Sequence, residues 1–135
     1  MIVACDGAAR GNPGPAGIGV QVTTDAGEVV GEIARGIGEA TNNVAEYTAV
    51  VEGLSLAQEL GARSVTLRSD SLLLVSQLTG RYRVKAPHLQ PLHHRVRRLA
   101  AGFDRISFEH VPREGNREAD RLANEGVDLW LAGER

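Results

Sequence analysis

The chain opens on an apolar run, Ile2-Val3-Ala4-Cys5, and residues 2–8 read as a strand. The cluster Arg10-Gly11-Asn12-Pro13-Gly14-Pro15 then reads as a turn, because glycine and proline punctuate regular structure. Residues 17–24 and 28–36 alternate apolar and polar positions around Asp25-Ala26-Gly27, a hairpin signal. The first three strands are therefore expected to form an antiparallel meander.

From there the period lengthens. Residues 42–60 predict a helix, with Thr41, Asn42 or Asn43 available as cap and Gly61 as terminator. At 100° per residue Glu46 falls in line with Val50, Gly53 and Ala57, widened by Tyr47, Val51 and Leu54. That places an acid at the rim of the buried face. Residues 63–69 predict a fourth strand, 71–78 a short helix and 80–87 a basic connector. A helix over 88–101 follows, with Leu89, Leu92, Val96 and Leu99 inward. A fifth strand is expected over 105–111 and a loop over 112–115. A last helix over 116–126 packs through Ala119, Leu122, Ala123 and Gly126. Residues 128–135 read as a flexible tail, leaving one domain over 1–127.

A meander followed by strand–helix–strand units gives an α/β fold with a five-stranded mixed sheet. Right-handed crossovers make strands one, four and five parallel. Asp6 and Asp70 then stand near the same end of neighbouring strands, where open α/β sheets place their sites.

Composition narrows the class. With 135 residues, 42% hydrophobic and 24% charged, the chain has the size and balance of a single globular domain. No apolar run approaches the roughly 20 residues that span a bilayer. No secretory signal is read at the start, and one cysteine, Cys5, allows no internal disulfide. A cytoplasmic setting is expected. Net charge is −2, which by itself disfavours a nucleic-acid partner. Yet positions 71–103 contain no Asp or Glu, while carrying Arg81, Arg83, Lys85, Arg95, Arg97 and Arg98 with His88, His93 and His94. A near-neutral protein can still present one basic face.

The chemistry is carried by four acids in poor structural contexts: Asp6 in an apolar strand, Glu46 on an inward helix face, Asp70 at a strand end and Asp120 flanking an apolar stripe. Taken singly, each reads as a cap or an exposed charge. Together, one per element, they suggest a shared cation site, because buried carboxylates are costly unless paired, protonated or metal-bound. Hard divalent cations favour such oxygens. No Cys or His set suits a structural zinc, and His93-His94, being adjacent on a helix, diverge.

The segments Cys5-Asp6-Gly7-Ala8 with Arg10 to Pro15, Thr41-Asn42-Asn43-Val44-Ala45-Glu46, Arg68-Ser69-Asp70-Ser71, and Asn116-Arg117-Glu118-Ala119-Asp120-Arg121-Leu122-Ala123 come in a characteristic order. In these segments the chain resembles type 1 ribonuclease H. The resemblance implies a ribonuclease H-like fold, three antiparallel strands then two parallel, flanked by helices. It implies Asp6, Glu46, Asp70 and Asp120 as catalytic and metal-holding carboxylates, two Mg²⁺ ions with Mn²⁺ able to substitute, and cleavage of the RNA strand of RNA–DNA hybrids. Asn12, Thr41, Asn42 and Asn43 match substrate-contacting positions, and Arg81 and Lys85 are further candidates. The implied partner is a hybrid, with double-stranded RNA an alternative. No membrane partner is implied, and the chain is expected to act as a monomer.

Two departures stand out. Many relatives carry a histidine in a loop before the last catalytic Asp. Here that loop is Pro112-Arg113-Glu114-Gly115, which leaves Arg113 or Glu114 as auxiliary candidates. The long basic protrusion of some relatives is absent, and residues 80–87 with the outer face of the following helix stand in for it. The alternative functions are a nuclease acting mainly on double-stranded RNA and a non-catalytic hybrid-binding module.

Overall fold

A computed structural model describes residues 1–133. Five strands, β1 (Ile2–Ala9), β2 (Gly14–Thr23), β3 (Val29–Ala40), β4 (Ser64–Ser69) and β5 (Arg105–His110), form one sheet in the order β3-β2-β1-β4-β5. β1 pairs antiparallel with β2 and parallel with β4; β2–β3 is antiparallel and β4–β5 parallel. The fold is the expected mixed α/β sheet with ribonuclease H-like topology. The helices are α1 (Asn42–Glu59), α2 (Leu72–Leu78), α3 (Gln90–Ala100) and α4 (Arg117–Leu131), and a short 3₁₀ turn spans Arg113–Asn116. No helix among the described residues is long and apolar enough to cross a membrane.

α1 covers one face of the sheet. It buries Tyr47, Val50, Val51, Leu54 and Ala57 against Val3, Cys5, Val20 and Val22, and Leu89, just before α3, and Val96 within it close the same core. Cys5 behaves as the expected small hydrophobe, 1% exposed. α4 packs on β1, β2 and β3. It comes close because those strands present glycines. A Cβ on Gly19 would lie 2.1 Å from the Ala119 carbonyl oxygen, and one on Gly17 2.5 Å from that of Ala123.

Two extents differ from the sequence reading. β2 and β3 reach further, to Gly14↔Ala40 and Pro15↔Glu39, past a register shift at Ala16/Gly17. Gly38 absorbs the irregularity with φ +82°, and Pro15 serves as an acceptor from the Arg10 N–H at 2.8 Å. The Gly14-Pro15 pair, which reads as turn, therefore begins a strand. The expected tail is also shorter than 128–135. Residues 128–131 continue α4, because Val127 is buried and Trp130 lies over Gly36 and Gly38 of β3. Its spacing 123–126–127–130 keeps the helical period. Positions 134–135 of that tail fall outside the described residues.

Candidate active site

β1 carries Asp6 to its middle, where the residue is 7% exposed and registers with Gly19 of β2. The next residue, Gly7, has no side chain for a reason: a Cβ there would lie 2.3 Å from the Ala45 carbonyl carbon. The first turn of α1 therefore lies directly on β1. Glu46, 8% exposed, accepts a hydrogen bond from the Gly7 backbone N–H through Oε1. The start of α1 is fixed by Thr41, whose Oγ1 accepts from the Val44 N–H at 3.2 Å. Asp70 follows the last residue of β4, and the Ser71 side chain caps α2.

Asp6, Glu46 and Asp70 each offer a carboxylate oxygen, all within 4.8 Å of one another. Asp120, half-buried one turn into α4, lines the same cavity of about 510 Å³ with Asn42, Asn43, Ser71, Arg113 and Asn124. The four acids read from the sequence are thus brought together from four separate elements. Burial pushes the Asp6 carboxyl well above its ordinary value, reinforced by the negative charges of Glu46 and Asp70. Burial also raises Glu46, against hydrogen bonds from Asp6 and from the Gly7 amide. Asp70 is raised by burial too, against the pull of Arg113. Clustered, desolvated carboxylates of one sign hold protons or cations. Their all-oxygen donor set suits a hard divalent cation.

The other expected site residues are divided. Asn42 and Asn43 line the acidic cavity. Asn12 stands behind them: its Oδ1 accepts from the Asn42 N–H at 3.1 Å, while the Asn42 side chain accepts from the Ala9 N–H at 3.1 Å. Thr41 caps α1. Arg113 faces the cavity, whereas Glu114 lines a separate recess with Asn116 and Glu118. His110 ends β5, paired in register with Ser69. Arg81 belongs to a second cavity of about 580 Å³, with Gln77, Tyr82, Arg83, His93 and Arg97; Lys85 is exposed in the connector, outside that lining. Asn124 escaped the sequence reading. Its one signal is its place four residues after Asp120 on a helix, where side chains meet.

The reverse-transcriptase-like domain family matches residues 4–126. Ribonuclease HI of Halobacterium salinarum is 46% identical over 123 residues, covering 91% of this chain and 62% of that protein. The chain belongs to the type 1 ribonuclease H family. The bifunctional protein Rv2228c of Mycobacterium tuberculosis is 47% identical over 129 residues, 95% of this chain. This chain spans only 35% of that relative's length. Among solved structures of the family, LC11-RNase H1 in complex with an RNA/DNA hybrid superposes with a TM-score of 0.91 at 42% identity, covering 96% of this chain and 98% of that one. Family members are metal-dependent ribonucleases, and the carboxylate cluster here fits that chemistry.

Proposed function

We propose that this chain is a metal-dependent endonuclease that hydrolyses the RNA strand of RNA–DNA hybrids by a two-metal-ion mechanism. The observation that carries the reading is the meeting of Asp6, Glu46 and Asp70, with Asp120 beside them, in one open polar cavity. The hybrid bound to LC11-RNase H1 supports the substrate class. A pure binding module gains nothing from negative charge concentrated against phosphates.

Asp6, Glu46, Asp70 and Asp120 would hold two divalent cations, Mg²⁺ or, in its place, Mn²⁺. Divalent ions held by these carboxylates would supply an activated water and charge neutralisation at the leaving oxygen. The protein's own groups do the rest. The Gly7 N–H orients Glu46 by holding one of its oxygens. Asn43 and Asn42, the latter braced by Asn12, present short polar groups suited to a ribose 2′-hydroxyl or a phosphate, the features by which RNA is told from DNA. Arg113, the one cation lining the cavity among the described residues, lies in the loop where many relatives carry a histidine and can neutralise a phosphate beside Asp70. Arg81, Arg83 and Arg97 offer a track for backbone phosphates, with Lys85 at its margin.

The deciding assay offers labelled hybrid, duplex RNA and duplex DNA, each with Mg²⁺, Mn²⁺ or chelator. Selective, cation-dependent cleavage of the hybrid's RNA strand is expected. Faster cleavage of duplex RNA would favour the double-stranded RNA reading. Tight hybrid binding without cleavage under any cation would overturn the enzymatic one.

A further inference from the structure

Asp120 is held differently from the other three acids. Asp6, Glu46 and Asp70 stand within 4.8 Å of one another, and Asp120 lines the same cavity with its carboxylate facing that of Asp6. Its partner on its own helix is Asn124, one turn further along α4. The Asn124 Nδ2 donates to the Asp120 backbone oxygen at 3.0 Å and approaches its Oδ1 at 3.4 Å. Asn124 is itself braced: its backbone carbonyl lies 3.4 Å from Nη2 of Arg10, whose Nη1 pairs with Asp128 at 2.7 Å.

Asparagine is a mediocre helix former, and nothing in the packing of α4 calls for an amide at this half-buried position. A neutral donor does suit the task the geometry sets. It can engage one carboxylate oxygen without placing a positive charge in the cavity, where a lysine or arginine would compete with a cation.

We infer that Asn124 is a positioning residue for Asp120, setting the carboxylate's rotamer and thereby the affinity of the site for its divalent cation. This rests on the reading of Asp120 as a cation-holding group. Partners that orient metal-holding side chains commonly contribute about 10- to 100-fold in metal affinity. A long, part-buried bond of 3.4 Å places the expectation at the low end of that range, about tenfold.

The test compares wild type with Asn124→Ala, Asn124→Gln and Asp120→Asn in two readouts. One is Mn²⁺ binding by calorimetry without nucleic acid. The other is hybrid cleavage as a function of Mg²⁺. Asn124→Ala is expected to raise the Mn²⁺ dissociation constant and the half-saturating Mg²⁺ about tenfold, with the loss lying there more than in kcat at saturating metal. Because alanine is the better helix former, the melting temperature in chelator should not drop. Asn124→Gln, which keeps the amide, should recover most of the affinity. Unchanged metal dependence in Asn124→Ala, or equal losses in the Ala and Gln variants, would overturn the inference. Wild-type Mn²⁺ binding in Asp120→Asn would overturn the underlying reading of Asp120 instead.

Discussion

The Asn116 side chain donates from Nδ2 to the Cys5 carbonyl oxygen at 2.9 Å, across 111 residues of sequence. Asn116 immediately precedes α4, and Cys5 immediately precedes Asp6. One buried hydrogen bond thus sets the start of the helix bearing Asp120 against the strand bearing Asp6. Asn116 is 2% exposed, so the bond is made out of reach of bulk solvent. Asn116→Ala leaves the Cys5 carbonyl without this partner. The expected cost is about 1–3 kcal/mol in urea denaturation, with an unchanged m-value. A variant as stable as wild type would mean that the glycine contacts alone dock α4.

Those contacts can be tested at Gly19. Its Cβ position lies 2.1 Å from backbone, which no side-chain rotation relieves. Gly19→Ala must displace α4, costing about 1–3 kcal/mol and shifting Asp120 relative to Asp6, the register partner of Gly19. Loss of both stability and hybrid cleavage is expected. Stability loss with full activity would separate the docking of α4 from the chemistry.

Asp70→Asn preserves shape and removes one charge from the trio. Hybrid cleavage at saturating Mg²⁺ is expected to fall by at least about a hundredfold with the fold retained by circular dichroism, since metal and electrostatic contributions are commonly several kcal/mol. Near-normal turnover would sink the assignment of the site.

The raised carboxyls of Asp6, Glu46 and Asp70 make a signed prediction for the cation-free protein. Unfolded Asp and Glu titrate near about pH 4. Above that pH the folded state binds more protons than the unfolded state, so stability is fullest at low pH and declines as pH rises through the raised folded values. Melting temperature in chelator should therefore fall on going from about pH 5 upward, within the range where the fold is otherwise intact. Saturating Mg²⁺ or Mn²⁺ should raise it and flatten the slope, because a cation that binds only the folded state replaces the protons. A pH slope that millimolar cations leave unaltered would speak against a preformed site.

Arg81, Arg83 and Arg97 share one cavity in a stretch free of acids. Converting two of them to Gln, with binding measured in calcium to block cleavage, should weaken hybrid binding. It should also lower the salt slope by about one per lost phosphate contact. An unchanged slope would mean that the hybrid docks elsewhere.

The sequence by itself determined the element order, the mixed sheet and the four acids, because helical and strand periods are local and a carboxylate in an apolar setting is conspicuous. It also marked Arg113 and the acid-free basic stretch. Tertiary structure alone decided how these residues meet. Gly7 looks like any glycine until α1 is seen lying on it, and Gly17 and Gly19 until α4 is seen filling their place. Thr41 and Asn12 look like caps or contacts alike until each partner is seen: Thr41 binds the Val44 amide, and Asn12 braces Asn42. Residues 128–131 read as tail, yet they continue α4 and Trp130 finds a glycine-lined seat on β3, a strand some ninety positions earlier. Close approach between distant segments depends on what is missing from a side chain as much as on what is present. That information belongs to pairs of residues, and a pattern read along one chain cannot contain it.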